Sequence, residues 1–530
     1  MAENYLNILA DTIRNNWDQP ALTDFYLTED GSAQDTSRGN HYTYGEMYAE
    51  ICRVANLLTS LGLQKGDHIA ICGANSAHWV IAYLAIAKMQ GVSVTVMHTL
   101  MPDEIARLVA FSDAKALFTD EDLWAELKSQ PMPQVENIIS LENFESLASR
   151  TSIIASVVPG ASSETSASSP SIVGFPQSNP DSLAMICFTS GTTGAAKGVM
   201  HTYRSISGGV QGSINTLPSL KNRNYISILP LAHIFGLVGD IDHLINAHKI
   251  VYIQAFNPKE LFNIFIKIRP YIFVTVPNVL ERLYAIRPDF LELFRGIGIE
   301  GITCGGSRLN PKIEEVLIEN DFPLVSLYGT TEGMIFSGSK YGEYKADSCG
   351  KVVEGMIARI SPAGEILVKG ENVMLGYYKD PEATAAKIDK DGWLHTGDKG
   401  HLDEDGYLYV EGRLEQDIIV LPNGENIRPD NIESLINALP EVSESIVLAR
   451  DGHLVALVVP SSESSESRET RASSATSETR ASSPSSSLRR KILRTVNPSL
   501  PLFSQLYDVE ITDQPLARTE KQTLKRYLYS

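Results

Sequence analysis

The chain has 530 residues, of which 45 are Lys or Arg and 64 are Asp or Glu, so its formal net charge is −19. This length exceeds what one hydrophobic core supports and predicts two to four domains or subdomains. The acidic balance argues against non-specific nucleic-acid binding. The 43% hydrophobic and 21% charged content is typical of a soluble globular enzyme.

The distribution of cysteines and of apolar segments indicates in which cellular compartment the protein is expected. Five cysteines are scattered along the chain without a C-x-x-C pair: Cys52, Cys72, Cys187, Cys304 and Cys349. This distribution predicts unpaired thiols in a reducing compartment. The sequence has neither a basic N-terminal stretch before an apolar core nor an apolar run of bilayer length. We therefore expect a cytoplasmic protein without an integral membrane contact.

Helix and strand patterns alternate through the first part of the chain. Apolar residues recur at helical spacing from Met47 to Leu61, and Gly62 is placed to end that helix. The other helices predicted here cover 5–16, 75–89 and 102–111. The predicted strands cover 68–72, 91–97 and a segment that begins at 116. This alternation predicts a parallel, doubly wound α/β sheet.

A glycine- and threonine-rich stretch follows the apolar run 183–188. It reads TSGTTGAAKG over 189–198 and precedes a predicted helix that begins near His201. Glycines let backbone N–H groups turn inward, threonine hydroxyls add donors, and Lys197 supplies a mobile positive charge. The pattern predicts a phosphate-binding loop, although its spacing differs from the Walker A motif. Taken alone, it is equally typical of a surface loop rich in turn-forming residues.

The strand–helix alternation resumes after this loop. Strands are predicted over 225–229, 250–253, 272–276, 302–304 and 324–328, with a helix over 258–268. Three of these strands run into glycine-containing polar segments, at 230–236, 305–307 and 329–333. Open α/β sheets bind ligands at the carboxyl ends of their strands, so we expect the site there.

Beyond Lys345, glycine turns and short strands, such as 364–370 and 376–378, predict a small β-rich subdomain. The last part of the chain predicts an α+β module with a helix over 429–439 and a hairpin formed by 445–449 and 453–459. We therefore divide the chain into an N-terminal domain, 1–412, and a C-terminal domain, 413–530.

Two serine-rich segments interrupt these domains. Residues 151–180 contain a low-complexity loop, and residues 461–487 contain the string ETRASS twice. Both compositions predict disorder. The first segment leads into the phosphate loop and is either a cover for the nucleotide or an inert insertion. The second segment contains no residue pattern that suggests a catalytic or binding role.

The chain resembles the adenylate-forming superfamily, which contains acyl-CoA synthetases, luciferases and peptide-synthetase adenylation domains. Four motifs carry the resemblance in the family's order: 189–198, 328–332, 392–398, and 412–413 through 424–427. The sequence LPLAHIFG at 229–236 resembles the acyl-CoA synthetase branch. The resemblance implies an α/β fold. A large N-terminal domain of doubly wound α/β subdomains plus a small β-rich subdomain precedes a small, mobile α+β C-terminal domain.

The resemblance also implies a reaction and its cofactors. In this superfamily a carboxylate attacks the α-phosphate of ATP, pyrophosphate leaves, and the acyl-adenylate reacts with the thiol of coenzyme A. Because two negative groups must meet, such a site needs cations and oriented donors. The implied cofactors are ATP, Mg²⁺ and coenzyme A, and the partner is a small carboxylic acid.

Site residues follow from the matched motifs. The residues implied in ATP binding are Thr189, Ser190, Gly191, Thr192, Thr193, Gly194, Lys197, Gly305, Gly306, Ser307, Tyr328, Gly329, Thr330, Thr331, Asp398 and Arg413. Tyr328 would lie against the adenine, and Asp398 and Arg413 would contact the ribose. Glu332 and Thr189 would hold Mg²⁺, and Lys197, Thr331 and Glu332 are the implied catalytic residues. The alternatives are ordinary solvated carboxylates at Glu332 and Asp398 and a core tyrosine at Tyr328.

The acyl pocket is expected at His233, Phe235, Gly236, Val276 and Asn278. The segments that contain them are apolar or small and have no acidic residue to hold an amino group. They favour a fatty or similar apolar acid over an amino acid. His233 either lines the carboxylate end of this pocket or is a satisfied buried histidine.

The C-terminal domain departs from the family pattern. The implied hinge is Glu415, where the family has Asp or Lys, and Gly424 would line the coenzyme A tunnel. The family's catalytic lysine belongs to a segment that reads PLARTEKQTLKR at 515–526, and Thr523 stands in its place. Threonine is neutral and short and cannot replace an ammonium. Lys521 would share a strand face with Thr523, so a shifted register would bring it in.

Several hypotheses follow from this pattern. The first is an ATP-dependent acid–CoA ligase for an apolar carboxylic acid. The alternatives are a nucleotide- or acyl-adenylate-binding protein with impaired adenylation, and a ligase that loads an acyl carrier protein. A Walker-type ATPase is disfavoured by the loop spacing.

Overall fold

The computed structural model describes residues 2–25, 40–149, 173–189, 196–214, 216, 221–253, 258–414, 419–461, 484–512, 514, 516 and 529. The chain divides into two compact units. One consists of residues 1–189 and 197–412, and the other includes residues 413–530. Each unit contains hydrophobic core residues of its own.

Helices and strands alternate in the first part of the large unit, as predicted. The helices are α1 (Tyr5–Asn15), α2 (Tyr44–Ser60), α3 (Ala77–Lys88), α4 (Pro102–Phe111) and α5 (Glu121–Leu127). The strands are β1 (Pro20–Phe25), β2 (His41–Thr43), β3 (His68–Cys72), β4 (Val92–Thr95), β5 (Ala116–Thr119), β6 (Asn137–Ser140), β7 (Ser146–Ser149), β8 (Leu183–Thr189) and β9 (Lys197–Thr202).

The remainder of the large unit has the same alternation and then turns to short strands. Its helices are α6 (Tyr203–Ile214), α7 (Ile234–Ile245), α8 (Pro258–Ile268), α9 (Pro277–Ile286), α10 (Phe290–Ile297), α11 (Pro311–Glu319) and α12 (Pro381–Lys387). Its strands are β10 (Asn224–Ser227), β11 (Lys249–Ile253), β12 (Ile272–Thr275), β13 (Gly301–Gly305), β14 (Leu324–Thr330), β15 (Met334–Gly338), β16 (Lys351–Val352), β17 (Met356–Ile360), β18 (Glu365–Gly370), β19 (Gly376–Tyr377), β20 (Leu394–Leu402) and β21 (Leu408–Arg413).

Local signals explain where the early helices begin. At the start of α2, the Thr43 side chain accepts from the Glu46 amide and the Glu46 carboxylate accepts from the Thr43 amide, which is a capping box. Ser76 caps α3 by accepting a hydrogen bond from the Trp79 amide. The apolar residues of α3 are buried on all sides, so this helix lies inside the core rather than at its edge.

Four sheets organise the large unit. The largest has the order β19-β9-β8-β4-β3-β5-β6-β7, and its central strands β8, β4, β3, β5 and β6 run parallel. The others have the orders β10-β11-β1-β2, β12-β13-β14-β15-β16 and β17-β18-β20-β21. Strands β12, β13 and β14 are parallel, so their carboxyl ends meet at one edge.

Two sequence predictions are wrong in this unit. The segment that follows 190–195 is not a loop that leads directly into a helix, because Lys197–Thr202 forms β9. This strand pairs antiparallel with β8, from Thr189↔Lys197 to Leu183↔Thr202. The segment 376–378 does not belong to the β-rich sheet, because β19 pairs with β9 at the edge of the largest sheet. In the first case the conformation of β9 depends on its pairing with β8, and in the second β19 pairs with a strand far away in the sequence; local patterns encode neither.

The second unit is a small α+β module. Its elements are β22 (Ile419–Val420), β23 (Asn426–Ile427), α13 (Pro429–Asn437), β24 (Val442–Arg450), β25 (His453–Pro460), α14 (Pro484–Val496) and β26 (Asp508–Ile511), with 3₁₀ turns at Asn497–Ser499 and Leu502–Ser504. Strands β24 and β25 form the predicted hairpin, and β26 adds in parallel to β25. Apolar residues of α13 and α14, such as Ile436 and Ile492, are buried in its core.

Candidate active site

The end of β14 and the turn into β15 carry five predicted site residues, Tyr328, Gly329, Thr330, Thr331 and Glu332. Gly329 permits this turn, because a Cβ placed there would overlap the backbone carbonyl of Met334. The two strands pair across the turn, with Thr330 opposite Met334. Thr331 and Glu332 therefore lie in a short, closely packed connection at the carboxyl end of β14.

Glu332 is half-buried and fixed by two hydrogen bonds. The Tyr377 hydroxyl donates to Glu332 Oε1 at 2.8 Å, and the Met374 amide donates to the Glu332 carbonyl at 2.8 Å. Burial acts to raise the pKa of Glu332, but the positive charge of Lys387 and the Tyr377 hydrogen bond outweigh it. The resulting pKa lies below the usual value. The carboxylate is therefore ionised at neutral pH.

A buried histidine that sequence reasoning missed supports the same turn. His201 Nε2 lies 2.8 Å from the Thr331 carbonyl, and His201 Nδ1 lies 3.2 Å from Ser205 Oγ. Burial lowers the pKa of His201 to about 4, so the ring is neutral and Nε2 donates to the carbonyl. His201 lies on β9, where its 0% exposure has no local sequence signal.

Tyr328 and Asp398 meet directly. The Tyr328 hydroxyl donates to Asp398 Oδ2 at 2.6 Å, although the two residues are 70 positions apart. Asp398 lies on β20 and is 6% exposed, and its amide donates to Thr396 Oγ1 at 3.0 Å. The Tyr328 ring contacts Phe336 edge-on at a centroid distance of 5.4 Å. Tyr328, predicted to lie at the adenine, and Asp398, predicted to contact the ribose, are therefore in direct contact, and Asp398 is not an ordinary solvated carboxylate.

The glycines after β13 bring the nucleotide and acyl residues together. Gly305 ends β13, and a Cβ there would lie 3.3 Å from Phe235 Cε1 and 3.0 Å from the Leu327 carbonyl. Gly306 has a φ of +89°, a conformation that favours glycine. Phe235, assigned to the acyl pocket, thus lies beside Gly305, assigned to the nucleotide.

The remaining acyl-pocket residues lie at helix N-termini. His233 is exposed and accepts a hydrogen bond from the Phe235 amide at 3.3 Å as the N-cap of α7, so it is not a buried histidine. A Cβ at Gly236 would overlap the Pro230 carbonyl. Val276 is the N-cap of α9, and Asn278 lies in its first turn. These two follow β12, whose Thr275 pairs with Cys304 of β13, so they lie at the same sheet edge as Gly305.

Lys197 lies on β9 rather than on a loop. Its Nζ atom is 4.9 Å from the centroid of the Tyr377 ring, within the range of a cation–π contact. Thr189, at the end of β8, lies opposite Lys197 in the strand pairing. The hairpin therefore delivers a hydroxyl and an ammonium group on adjacent strands.

The sequence matches known families over most of its length. The family model "AMP-binding enzyme" matches residues 9–378, and "AMP-binding enzyme C-terminal domain" matches residues 416–529. The chain belongs to the AMP-binding enzyme family. This confirms the predicted relation to the adenylate-forming superfamily and its acyl-CoA synthetases.

Individual members of the AMP-binding family show how far the likeness extends. A 3-[(3aS,4S,7aS)-7a-methyl-1,5-dioxo-octahydro-1H-inden-4-yl]propanoyl:CoA ligase of Rhodococcus jostii is 29% identical over 436 residues, 77% of this chain and 80% of the relative. The long-chain-fatty-acid–CoA ligase FadD13 of Mycobacterium tuberculosis is 27% identical over 447 residues, 81% of this chain and 84% of the relative. The amide bond synthetase McbA of Marinactinospora thermotolerans superposes with a TM-score of 0.76 at 23% identity, covering 99% of each chain. The fold class predicted from the sequence, a large α/β domain followed by a small one, is confirmed.

Some residues expected in an AMP-binding enzyme lie outside the described part of the chain. These are Ser190, Gly191, Thr192, Thr193, Gly194, Glu415, Lys521 and Thr523. Arg413 ends β21, but its side chain is likewise outside the described part. Gly424 has a φ of +86° and donates its amide to the Leu421 carbonyl at 2.8 Å, which forms the tight turn between β22 and β23. The roles of all these residues stay predictions.

The residues around Glu332 fit a magnesium ion. Mg²⁺ prefers hard oxygen ligands, and in nucleotide sites it is held by one or two carboxylates, substrate phosphates and water. Among the described residues there is no cluster of three His, Cys, Asp or Glu side chains arranged as metal ligands. A single ionised carboxylate, linked through Tyr377 to Lys197 of the β8–β9 hairpin, fits a site completed by phosphates and water rather than an all-protein cage. Also within the described residues, no helix is long and apolar enough to span a bilayer.

Proposed function

We propose that the protein is an ATP-dependent acid–CoA ligase that activates a fatty or similar apolar carboxylic acid. The observation that carries this proposal is the cluster at the β14–β15 turn. There the Tyr328 hydroxyl contacts Asp398 at 2.6 Å, and four residues later an ionised Glu332 is held by Tyr377 at 2.8 Å. Tyr328, one member of the proposed nucleoside-binding pair, thus lies four residues before Glu332, the proposed cation ligand.

In the first half-reaction, a carboxylate oxygen of the acid forms a bond to the α-phosphorus of ATP. The bond from the α-phosphorus to the bridging oxygen breaks, and pyrophosphate leaves with the electron pair. Asp398 and Tyr328 position the nucleoside, while Lys197 and the 189–194 segment bind the departing phosphates. Glu332 and Thr189 would hold Mg²⁺, which would neutralise phosphate charge when bound. Preorganised positive groups of this kind lower the barrier most when they act on charge that develops in the transition state.

In the second half-reaction, the thiolate sulfur of coenzyme A attacks the acyl carbon, and AMP leaves. Gly424 is proposed to line the path of coenzyme A, and Glu415 to serve as the hinge between the two half-reactions. The N-terminal domain, 1–412, and the C-terminal domain, 413–530, are the bodies that such a hinge would join.

The choice of an apolar acid is supported by the residues near Gly305. Phe235 lies beside this glycine, and Phe235 and Val276 both pack against the same apolar cluster of the large unit. Two of the relatives act, by name, on a long-chain fatty acid and on a bicyclic propanoate, which are both largely apolar acids.

A panel of acids tests this function. Purified protein with ATP, Mg²⁺ and coenzyme A is assayed for pyrophosphate release and thioester formation with medium- and long-chain fatty acids, aryl propenoates and amino acids. Acid-dependent pyrophosphate release together with an acyl-CoA product is the expected result. Supplying an acyl carrier protein in place of coenzyme A tests that alternative acceptor. Phosphate release that needs no acid would revive the Walker-type ATPase.

A second candidate function, binding of a nucleotide or acyl-adenylate with weak adenylation, is favoured by Thr523. Threonine stands where the family has its catalytic lysine. We expect Thr523→Lys to raise acid-dependent pyrophosphate release strongly while Lys521→Ala changes little. Loss of activity in Lys521→Ala would instead identify Lys521 as the working lysine and reject the second candidate.

A further inference from the structure

Tyr377 links two charged residues of the candidate site. Its hydroxyl donates to Glu332 Oε1 at 2.8 Å, and the Lys197 ammonium lies 4.9 Å from the centroid of its ring. The residue is 5% exposed. One side chain therefore contacts the proposed cation ligand through its hydroxyl and the proposed phosphate-binding lysine through its aromatic ring.

The backbone of Tyr377 is held on three sides. It pairs with Val199 of β9, its amide donates to Thr384 Oγ1 at 2.8 Å, and its carbonyl accepts from the Asp380 amide at 3.2 Å. The preceding Gly376 has a φ of +146°, and a Cβ there would lie 2.7 Å from Thr384 Cγ2. The ring is therefore anchored by strand β19 and helix α12 and does not depend on a ligand for its position.

Opposite charges in such a site tend to pair with each other. A carboxylate and an ammonium in contact attract each other more strongly in a partly buried site than in bulk water, because the effective dielectric constant is lower there. A direct Lys197–Glu332 pair would occupy both groups and compete with phosphate and cation. Tyr377 gives each group a neutral partner instead: a hydroxyl donor for the carboxylate and a ring face for the ammonium.

We propose that Tyr377 is a positioning residue that orients Glu332 toward the cation and keeps Lys197 apart from it, on the phosphate side of the site. This inference rests on the proposed function for the identity of the two ligands, ATP and Mg²⁺. It adds a residue that sets the geometry of the group proposed to hold the cation and of the group proposed to bind the departing phosphates.

Two substitutions separate the parts of this role. Tyr377→Phe removes the hydroxyl and keeps the ring, so we expect the Mg²⁺ concentration for half-maximal pyrophosphate release to rise about tenfold, as for loss of a hydrogen bond to a charged group. The KM for the acid should stay unchanged. Tyr377→Leu removes the ring as well, so the KM for ATP should also rise by about threefold to tenfold, as for loss of a cation–π contact.

Tyr378→Phe is the matched control. Tyr378 is the next residue, and its hydroxyl donates to Asp113 Oδ2 at 2.8 Å, a carboxylate that has no assigned role in the site. This variant also removes one tyrosine-to-carboxylate hydrogen bond, and it should leave the Mg²⁺ requirement and the KM for ATP unchanged. An equal shift in Tyr378→Phe would overturn the proposal, because the effect would then reflect general loosening.

Binding is measured separately from turnover with Mn²⁺ as the spectroscopic probe. The fraction of Mn²⁺ bound in the presence of ATP is followed by electron paramagnetic resonance for wild type, Tyr377→Phe and Tyr378→Phe. Weaker Mn²⁺ binding in Tyr377→Phe alone supports the proposal even if no acid in the panel is turned over, so failure of the proposed function remains distinguishable. Equal binding in all three proteins overturns it.

A double-substitution cycle completes the test. If Tyr377 acts on the cation through Glu332, the Mn²⁺-binding defect of Tyr377→Phe should vanish in a Glu332→Gln background. The same defect in both backgrounds would mean that Tyr377 acts by another route, and the assignment would fail. Melting temperatures are measured for every variant, and equal values show that the differences in Mn²⁺ binding are between folded proteins.

Discussion

At the scale of single residues, the site is built from hydroxyl–carboxylate contacts rather than from surface ion pairs. Tyr328 donates to Asp398 at 2.6 Å and Tyr377 to Glu332 at 2.8 Å. A hydrogen bond to a charged, partly buried group is worth about 1.5–3 kcal/mol, more than most exposed ion pairs. Each tyrosine therefore holds a carboxylate in one orientation.

Tyr328→Phe tests the first of these contacts. Loss of the hydroxyl leaves Asp398 free to rotate, so we expect the KM for ATP to rise about tenfold while kcat falls less than that. Steady-state kinetics at varied ATP concentration measure both the KM for ATP and kcat. Tyr341→Phe is the control, because the Tyr341 hydroxyl donates to the Glu300 carbonyl at 2.9 Å, a backbone acceptor with no assigned role in the site. An unchanged KM in Tyr328→Phe would contradict the assignment of Asp398 to the ribose.

A buried carboxylate on α7 gives stability a pH dependence. Asp242 is 0% exposed and accepts from Ser213 Oγ and from Asn246 Nδ2, both at 2.7 Å. Burial outweighs these hydrogen bonds and raises the pKa of Asp242 to about 7. In the unfolded chain the value is about 3.9. Between these values the folded state keeps a proton that the unfolded state has released, so the contribution of this residue to stability falls as pH rises.

Asp242→Asn removes that titration. As the pH is raised from 5 to 8, we expect the free energy of unfolding of the variant to increase relative to that of wild type, by on the order of 3 kcal/mol for a pKa shift of this size. Denaturant unfolding at the two pH values measures the gain. Asp391→Asn, at an exposed aspartate, should show no such change. A stability difference that is the same at both pH values would show that Asp242 does not titrate as described.

At the scale of elements, the β14–β15 connection depends on a glycine. Gly329→Ala would force a methyl group into the Met334 carbonyl, and overpacking of this kind costs about 1–3 kcal/mol. Because Glu332 follows three residues later, we also expect ATP binding to weaken, measured by calorimetry beside thermal melting. Gly296→Ala is the control, since no atom lies within 4 Å of its added Cβ in α10. Alanine there should be neutral or stabilise the helix by roughly 0.5–1 kcal/mol. Equal behaviour of the two variants would contradict the steric argument.

At the scale of the whole molecule, the residues of the nucleotide cluster belong to one compact unit. Tyr328, Glu332 and Asp398 all lie within the unit formed by 1–189 and 197–412. We expect a chain that ends at residue 412 to fold on its own and bind ATP, yet to form no thioester, since it lacks Gly424 and the segment 515–526. Circular dichroism and calorimetry measure folding and ATP binding, and the full-length protein is the reference. An unfolded or aggregated fragment would contradict the predicted domain boundary at 412.

Much of the fold was predictable from local patterns. Helical spacing located α2, α4 and α8 to within a few residues, and the strands at 68–72, 250–253 and 324–328 are present as β3, β11 and part of β14. The β8–β9 hairpin was not predicted, because the segment after 195 lacks a clear strand period and its pairing partner, β8, determines its conformation. The strand β19 was assigned to the wrong sheet because its pairing partner, β9, lies far away in the sequence.

The sequence by itself determined the type of most elements and the order of the adenylate-forming motifs, because both depend on residues that are close along the chain. Only the tertiary structure decided which side chains meet. Tyr377 reaches Glu332 across 45 positions, Tyr328 reaches Asp398 across 70, and His201 reaches Thr331 across 130. Such contacts form when sheets and turns pack against one another, and no local period records which strands will be neighbours.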